Sequence, residues 1–239
     1  MRHRYFSMSF PEKQTENPLR STFRQDAHFF TSVTALIIAV VLLMTPLNFQ
    51  NDEIRVLVFG DSITAGYGIG KDAAFPAILE QKADSMGYEN VNFVNGGLSG
   101  ETSAGGLRRV EWMLRQPVDV FVLELGGNDG LRGLDLSDTK KNLSGILEKV
   151  KAKYPEAVLV VAGMQVPPNL GDEYTQEFKS MYQNVANQND AILIPFILED
   201  VGGIKELNLN DGIHPNVQGH RIIAENTWPI FEEIFERME

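Results

Sequence analysis

The chain contains no cysteine. This excludes disulfide scaffolds, thiolate-ligated zinc, iron–sulfur clusters and cysteine nucleophiles. It is neutral on compartment, since a cysteine-free chain suits both the cytosol and an oxidising exterior. Positive charge is also scarce: 21 Lys and Arg stand against 32 Asp and Glu, a net charge of −11. Nucleic acid is a poor partner for such a chain, because its phosphates need a basic face. There is one long apolar run, which excludes a polytopic membrane protein. Of the 239 residues, 43% are hydrophobic and 22% charged, a balance that permits a buried core and argues against disorder.

The apolar run lies near the N-terminus. Residues 1–28 are polar and irregular, with five basic and three acidic side chains. Phe29 to Phe49 then carries no charge over 21 residues, with its most apolar part from Val33 to Met44. That is long enough to cross a bilayer only with its flanks, at about 1.5 Å per residue. Leu47 and Phe49 are too large for a small-x-small cleavage site, which favours an uncleaved signal anchor over a cleaved signal peptide. Basic residues precede the segment and acidic ones follow it, so residues 51–239 are expected outside the cytoplasm, periplasmic or otherwise extracytoplasmic. Attachment to the membrane through residues 29–49 is the corresponding expectation.

Residues 51–239 carry 16 basic and 29 acidic side chains, a net −13. At this length they suit one domain. Short apolar runs ending in glycine or proline recur at 54–59, 91–94, 118–123, 158–162 and 192–194, and read as buried strands. Between them apolar residues fall at helical spacing, as in Leu143, Ile146, Leu147 and Val150, or Phe178, Met181, Tyr182 and Val185. Segments 73–86 and 103–114 are expected helices. A last helix carries Ile223, Ile230, Phe231, Ile234 and Phe235, with a kink expected at Pro229. Five near-continuous apolar strands alternating with helices predict a parallel sheet covered on both faces: a three-layer α/β/α sandwich of flavodoxin-like order.

Ligands bind such sheets beyond the carboxyl ends of the strands. Four polar clusters stand there: Gly60-Asp61-Ser62, Asn95 to Thr102, Gly126-Gly127-Asn128-Asp129-Gly130, and Asp211-Gly212-Ile213-His214. Without cysteine, a covalent mechanism needs Ser, Thr, Lys or a carboxylate as nucleophile. A serine in turn needs a base that works near neutral pH, usually histidine. His214 and His220 are the only histidines beyond residue 50. His220 falls in the last helical pattern, where a solvated or capping role is expected. His214 falls in a loop three residues after Asp211, a spacing that lets the carboxylate accept from the imidazole. Ser62 directly follows a strand and precedes a helix expected from Asp72, so its hydroxyl is exposed at a turn. Gly100 and Asn128 can offer a backbone N–H and a side-chain amide to a developing oxyanion. Each cluster alone reads more readily as a turn or loop than as a site, and an aspartate beside a histidine could also hold a metal. Their order at successive strand ends favours acyl transfer.

Residues 54–236 resemble the SGNH (GDSL-type) hydrolases, and within them the bacterial periplasmic thioesterase, arylesterase and lysophospholipase subgroup. The resemblance rests on Val58 to Gly68 around Gly60-Asp61-Ser62, on Leu98-Ser99-Gly100-Glu101-Thr102, on Glu124 to Gly133 around Asn128, and on Asp211 and His214. It implies a Ser62–His214–Asp211 triad, an acyl-enzyme, and an oxyanion hole from the Ser62 and Gly100 N–H groups and the Asn128 amide. It implies no metal or organic cofactor, and a small acyl ester or thioester as substrate. The loop from Asp129 through Gly130 and Leu131 to Leu134 would move with the acyl chain. Gln165 to Asn169, including Pro167, would line its groove. Asn95-Gly96-Gly97 departs from the more usual Asn-Ala lead-in, and the N-terminal extension is longer than a simple signal peptide. A carbohydrate O-acetylesterase is the alternative that the same triad could serve, and a non-catalytic binding module is the third reading. Trp112 and Trp228 are expected in the core or between helices, Asp61 as a turn acceptor, and the acid-rich tail from Glu232 as a solvated face.

Overall fold

The computed structural model describes residues 53–238. The segment expected to anchor the chain, residues 29–49, lies outside them. Among the described residues, no helix is long and apolar enough to cross a membrane.

Five parallel strands form one sheet: β1 (Ile54–Gly60), β2 (Val91–Asn95), β3 (Val120–Glu124), β4 (Val158–Ala162) and β5 (Ile192–Ile194). Their order is β2-β1-β3-β4-β5, the flavodoxin-like order expected. The helices are α1 (Ser62–Ala65), α2 (Phe75–Met86), α3 (Ser103–Met113), α4 (Gly127–Leu131), α5 (Leu136–Lys153), α6 (Asp172–Asn189) and α7 (Val217–Met238). Helix α2 packs on α7, while α3, α5 and α6 pack in series, giving a layer on each face of the sheet. Val56 to Phe59 and Val120 to Val122 are fully buried, as strands covered on both faces must be. Phe59, Phe121, Phe178, Phe231 and Phe235 fill the space between sheet and helices.

Several expectations shift. β3 starts at Val120 rather than Val118, because the Asp119 carboxylate accepts from the Arg55 N–H at 2.8 Å. A side chain thus serves there in place of a ladder carbonyl. The helix after Ser62 begins at Ser62 itself, and residues 71–73 make only a single 3-10 turn before α2. Helix α7 continues through Pro229. Trp228 is buried as expected, but Trp112 is 61% exposed and belongs to no core. His220 is not solvated. It is buried in α7, and its Nδ1 accepts the Phe75 N–H at 3.1 Å, capping the start of α2.

Candidate active site

The polar clusters meet at the carboxyl edge of the sheet because β1 and β3 are neighbours there, with Gly60 paired to Glu124. The chain turns sharply after Gly60. Asp61 caps α1, its Oδ1 accepting the Ile63 N–H at 3.0 Å. Ser62 is therefore the first residue of a helix, where backbone N–H groups have no helical partner. Among the described residues, neither the Ser62 nor the Gly100 N–H donates to a backbone carbonyl. Gly100 has φ +76°, a conformation that favours glycine and turns its peptide away from the regular path.

His214 lies in a short hairpin closed by the Leu209 N–H to the His214 carbonyl at 2.7 Å and by a bridge between Asn208 and Pro215. Its Nε2 is 2.9 Å from Ser62 Oγ, and its Nδ1 is 2.8 Å from Asp211 Oδ2. Asp211 Oδ1 accepts from the Ile213 and His214 N–H groups at 2.9 and 3.0 Å. These backbone bonds, and then the imidazole, hold the Asp211 carboxyl down at about 2. An ionised Asp211 accepts only, so it accepts a hydrogen bond from Nδ1–H, which keeps the proton on Nδ1 and leaves Nε2 to accept from the serine hydroxyl.

Asn128, in the first turn of α4, donates from Nδ2 to Asp61 Oδ2 at 3.0 Å. The capping aspartate thus sets both the serine turn and the amide. Behind it is Glu124, at the end of a wholly buried strand. Glu124 Oε2 accepts from the Thr64 hydroxyl at 2.7 Å and from the N–H groups of Asp61 and Thr64 at 3.2 and 3.3 Å. Burial raises both carboxyls. Asp61 is pushed up to about 6, with its hydrogen bonds opposing, and Glu124 is raised further by the charge of Asp61.

The Gly100 loop has its own fastening. Glu101, buried, pairs with both Nε and Nη2 of Arg109, and the same guanidinium donates to the Gly96 carbonyl at 2.9 Å. Arg109 also lies 4.1 Å over the Phe59 ring. Gly97 is required where Asn95-Gly96-Gly97 passes α1, because a Cβ there would stand 2.2 Å from the Ala65 nitrogen. Arg132 reaches from the end of α4 to the Gly100 carbonyl at 3.1 Å.

Ser62, His214 and Asp211 are thus in contact, Asn128 is joined to the serine turn through Asp61, and Gly100 is linked to the end of α4 through Arg132. The expected substrate contacts divide. Asp129 is buried and faces inward, accepting from the Ser103 N–H at 2.8 Å and from its hydroxyl at 2.5 Å. Gly130 is packed under Phe178 and Val166, where a Cβ would stand 2.6 Å from each. Neither lines an open groove. Leu131 is half-exposed, Pro167 is exposed and Gln165 partly so. The sequence reading missed Glu124 and Tyr67. Glu124 carries a signal, a lone carboxylate closing an apolar strand. Tyr67 shows itself only in space, its ring 4.5 Å from the His214 ring. Among the described residues, no three His, Asp or Glu side chains gather as a metal site.

Residues 58–222 match the GDSL-like lipase/acylhydrolase family. An esterase TesA of Pseudomonas aeruginosa is 37% identical over 201 residues, 84% of this chain and 98% of that protein. The thioesterase 1/protease 1/lysophospholipase L1 of Escherichia coli K12 is 39% identical over 171 residues, 71% of this chain and 79% of that one. The crystal structure of a TesA superposes with a TM-score of 0.71 at 38% identity, covering 75% of this chain and 98% of that chain.

Proposed function

The chain belongs to the GDSL-like lipase/acylhydrolase family and is an ester hydrolase, and from that premise we propose that it cleaves carboxylic esters or thioesters through an acyl-enzyme on Ser62. The observation that carries this reading is the chain of contacts from Ser62 Oγ through His214 to Asp211, at 2.9 and 2.8 Å. In this reading Ser62 Oγ attacks the acyl carbonyl while His214 Nε2 takes its proton. Asp211 stabilises the imidazolium that forms. The carbonyl oxygen becomes an oxyanion held by the Ser62 and Gly100 N–H groups and the Asn128 amide, each worth about 3 kcal/mol in the transition state. His214 returns the proton to the departing alcohol or thiol. Water then enters, gives its proton to His214, and releases the acid as Ser62 recovers its own.

The apolar residues left exposed on the surrounding loops suit an acyl chain better than a sugar. Leu98, Leu131, Leu134 and Leu170 are each 41% exposed or more. We place the hydrolase outside the cytoplasm, tethered through residues 29–49, on the charge asymmetry that flanks this segment.

The test is a series of p-nitrophenyl esters from acetate to palmitate on the full-length protein and its Ser62→Ala variant. Hydrolysis of medium or long chains that disappears with Ser62→Ala is expected. Hydrolysis confined to acetate moves the assignment to an O-acetylesterase. Activity that survives Ser62→Ala, or failure of an organophosphorus probe to label Ser62, overturns the mechanism.

A further inference from the structure

The two oxygens of the Asp61 carboxylate serve different elements. Oδ1 accepts the Ile63 N–H at 3.0 Å and caps α1. Oδ2 accepts from Asn128 Nδ2 at 3.0 Å, across 67 positions of chain. A cap needs only the first bond. The second depends on a glycine: a Cβ on Gly127 would stand 3.3 Å from the same Oδ2, closer than side chains ordinarily approach, so its absence lets the carboxylate rest against the first turn of α4. Asp61 is only 3% exposed, which leaves water little part in the contact.

An asparagine amide can turn by 180° with almost no change in shape, which exchanges its two donors for an acceptor. In one orientation Asn128 would bind an oxyanion; in the other its carbonyl would repel one. A carboxylate removes this freedom, because it accepts only. Burial pushes Asp61 up to about 6 and its hydrogen bonds oppose the rise, so in mildly alkaline buffer it is ionised. The amide nitrogen must then face it, and one N–H of that nitrogen goes to Oδ2. Among the described residues Asn128 Nδ2 has no other acceptor, so its second N–H is left for a substrate. We propose that Asp61 is a positioning residue whose carboxylate holds the Asn128 amide as a donor, and so sets the polarity of that contact with the reacting carbonyl. The proposal rests on the reading of Asn128 as an oxyanion donor.

The experiment is a double-mutant cycle on the full chain, with kcat and KM for p-nitrophenyl butyrate in mildly alkaline buffer. Asparagine caps a helix about as well as aspartate, so Asp61→Asn spares α1 but puts an amide against an amide. The expected result is a kcat lowered by up to about 10²–10³ with KM little changed. In the Asn128→Ala background the same Asp61→Asn change should lower kcat by no more than about twofold. An unchanged kcat in Asp61→Asn overturns the proposal, because Asp61 then only caps α1. An equal fall in both backgrounds overturns it too, because Asp61 then acts through the serine turn. Should circular dichroism show Asp61→Asn unfolded, Asp61→Ser, which keeps a capping oxygen and lacks the second acceptor, takes its place under the same two criteria. Failure of the underlying reading is distinguishable, since it would appear as an unchanged kcat in Asn128→Ala alone.

Discussion

Asn128 and Glu124 stand four residues apart, and the sequence singled out the first and passed over the second. On the proposed mechanism, Asn128→Ala should lower kcat by about 10²–10³ with little change in KM, because the amide would stabilise charge that exists only in the transition state. Steady-state kinetics on a short-chain ester checks this. Glu124→Leu should act differently. It strips the acceptor from the Asp61 and Thr64 N–H groups and the Thr64 hydroxyl, and so should destabilise the fold by about 3 kcal/mol as well as slow the reaction. Urea unfolding reads the first effect. Glu124→Gln keeps an acceptor oxygen and should recover most of the loss. The contact chain from Ser62 through His214 to Asp211 could be anticipated from loops at strand ends, since a serine there calls for a histidine and a carboxylate; Gly100 and Asn128 were singled out on the same ground. Glu124 and Tyr67 could not, because what they do depends on what the fold places beside them. Asp129 misled for the same reason: in the sequence it adjoins Asn128, but its carboxylate turns into the protein to hold α3.

The five strands and the five longer helices were legible, the short α1 and α4 were not, and the ends of elements were less legible than their existence. Apolar periodicity reflects burial, which survives into the fold. Ends depend on single hydrogen bonds such as that from the Arg55 N–H to Asp119. His220 is such a bond between two elements, joining α7 to the first turn of α2. Burial, with a smaller contribution from the charge of His214, lowers its pKa from 6.5 to about 4. The fold therefore holds the neutral ring. Above pH 6.5 this group costs the fold nothing, and as pH falls from 6.5 to about 4 the unfolded chain takes the proton first. Stability should drop across that window by up to about 3 kcal/mol. His220→Gln, which can still accept from the Phe75 N–H, should flatten this part of the stability curve in urea titrations run at several pH values. The Gly100 loop is tied to α3 by another such link. Arg109→Met would leave the buried Glu101 carboxylate without its partner, and should cost about 3 kcal/mol in the same assay.

At the scale of the molecule, the sheet order and the two helix layers followed from the alternation of strands and helices and from the handedness of crossovers. Charge is the other global property. With a net −13 on residues 51–239, a polyanionic thioester should meet repulsion that a neutral ester does not. Its kcat/KM is expected to rise as salt is added, while that of a neutral ester stays flat. The wide spacing of the active residues along the chain has a consequence for biosynthesis. Ser62 and His214 are 152 positions apart, and the loop carrying the base precedes only α7. On the proposed mechanism, a ribosome that has released the serine turn, the Gly100 loop and α4 has supplied the nucleophile and the anion-binding amides, but no group to activate them. The nascent chain would then be chemically silent until the His214 loop has been translated, and would acquire hydrolytic power in a single late step.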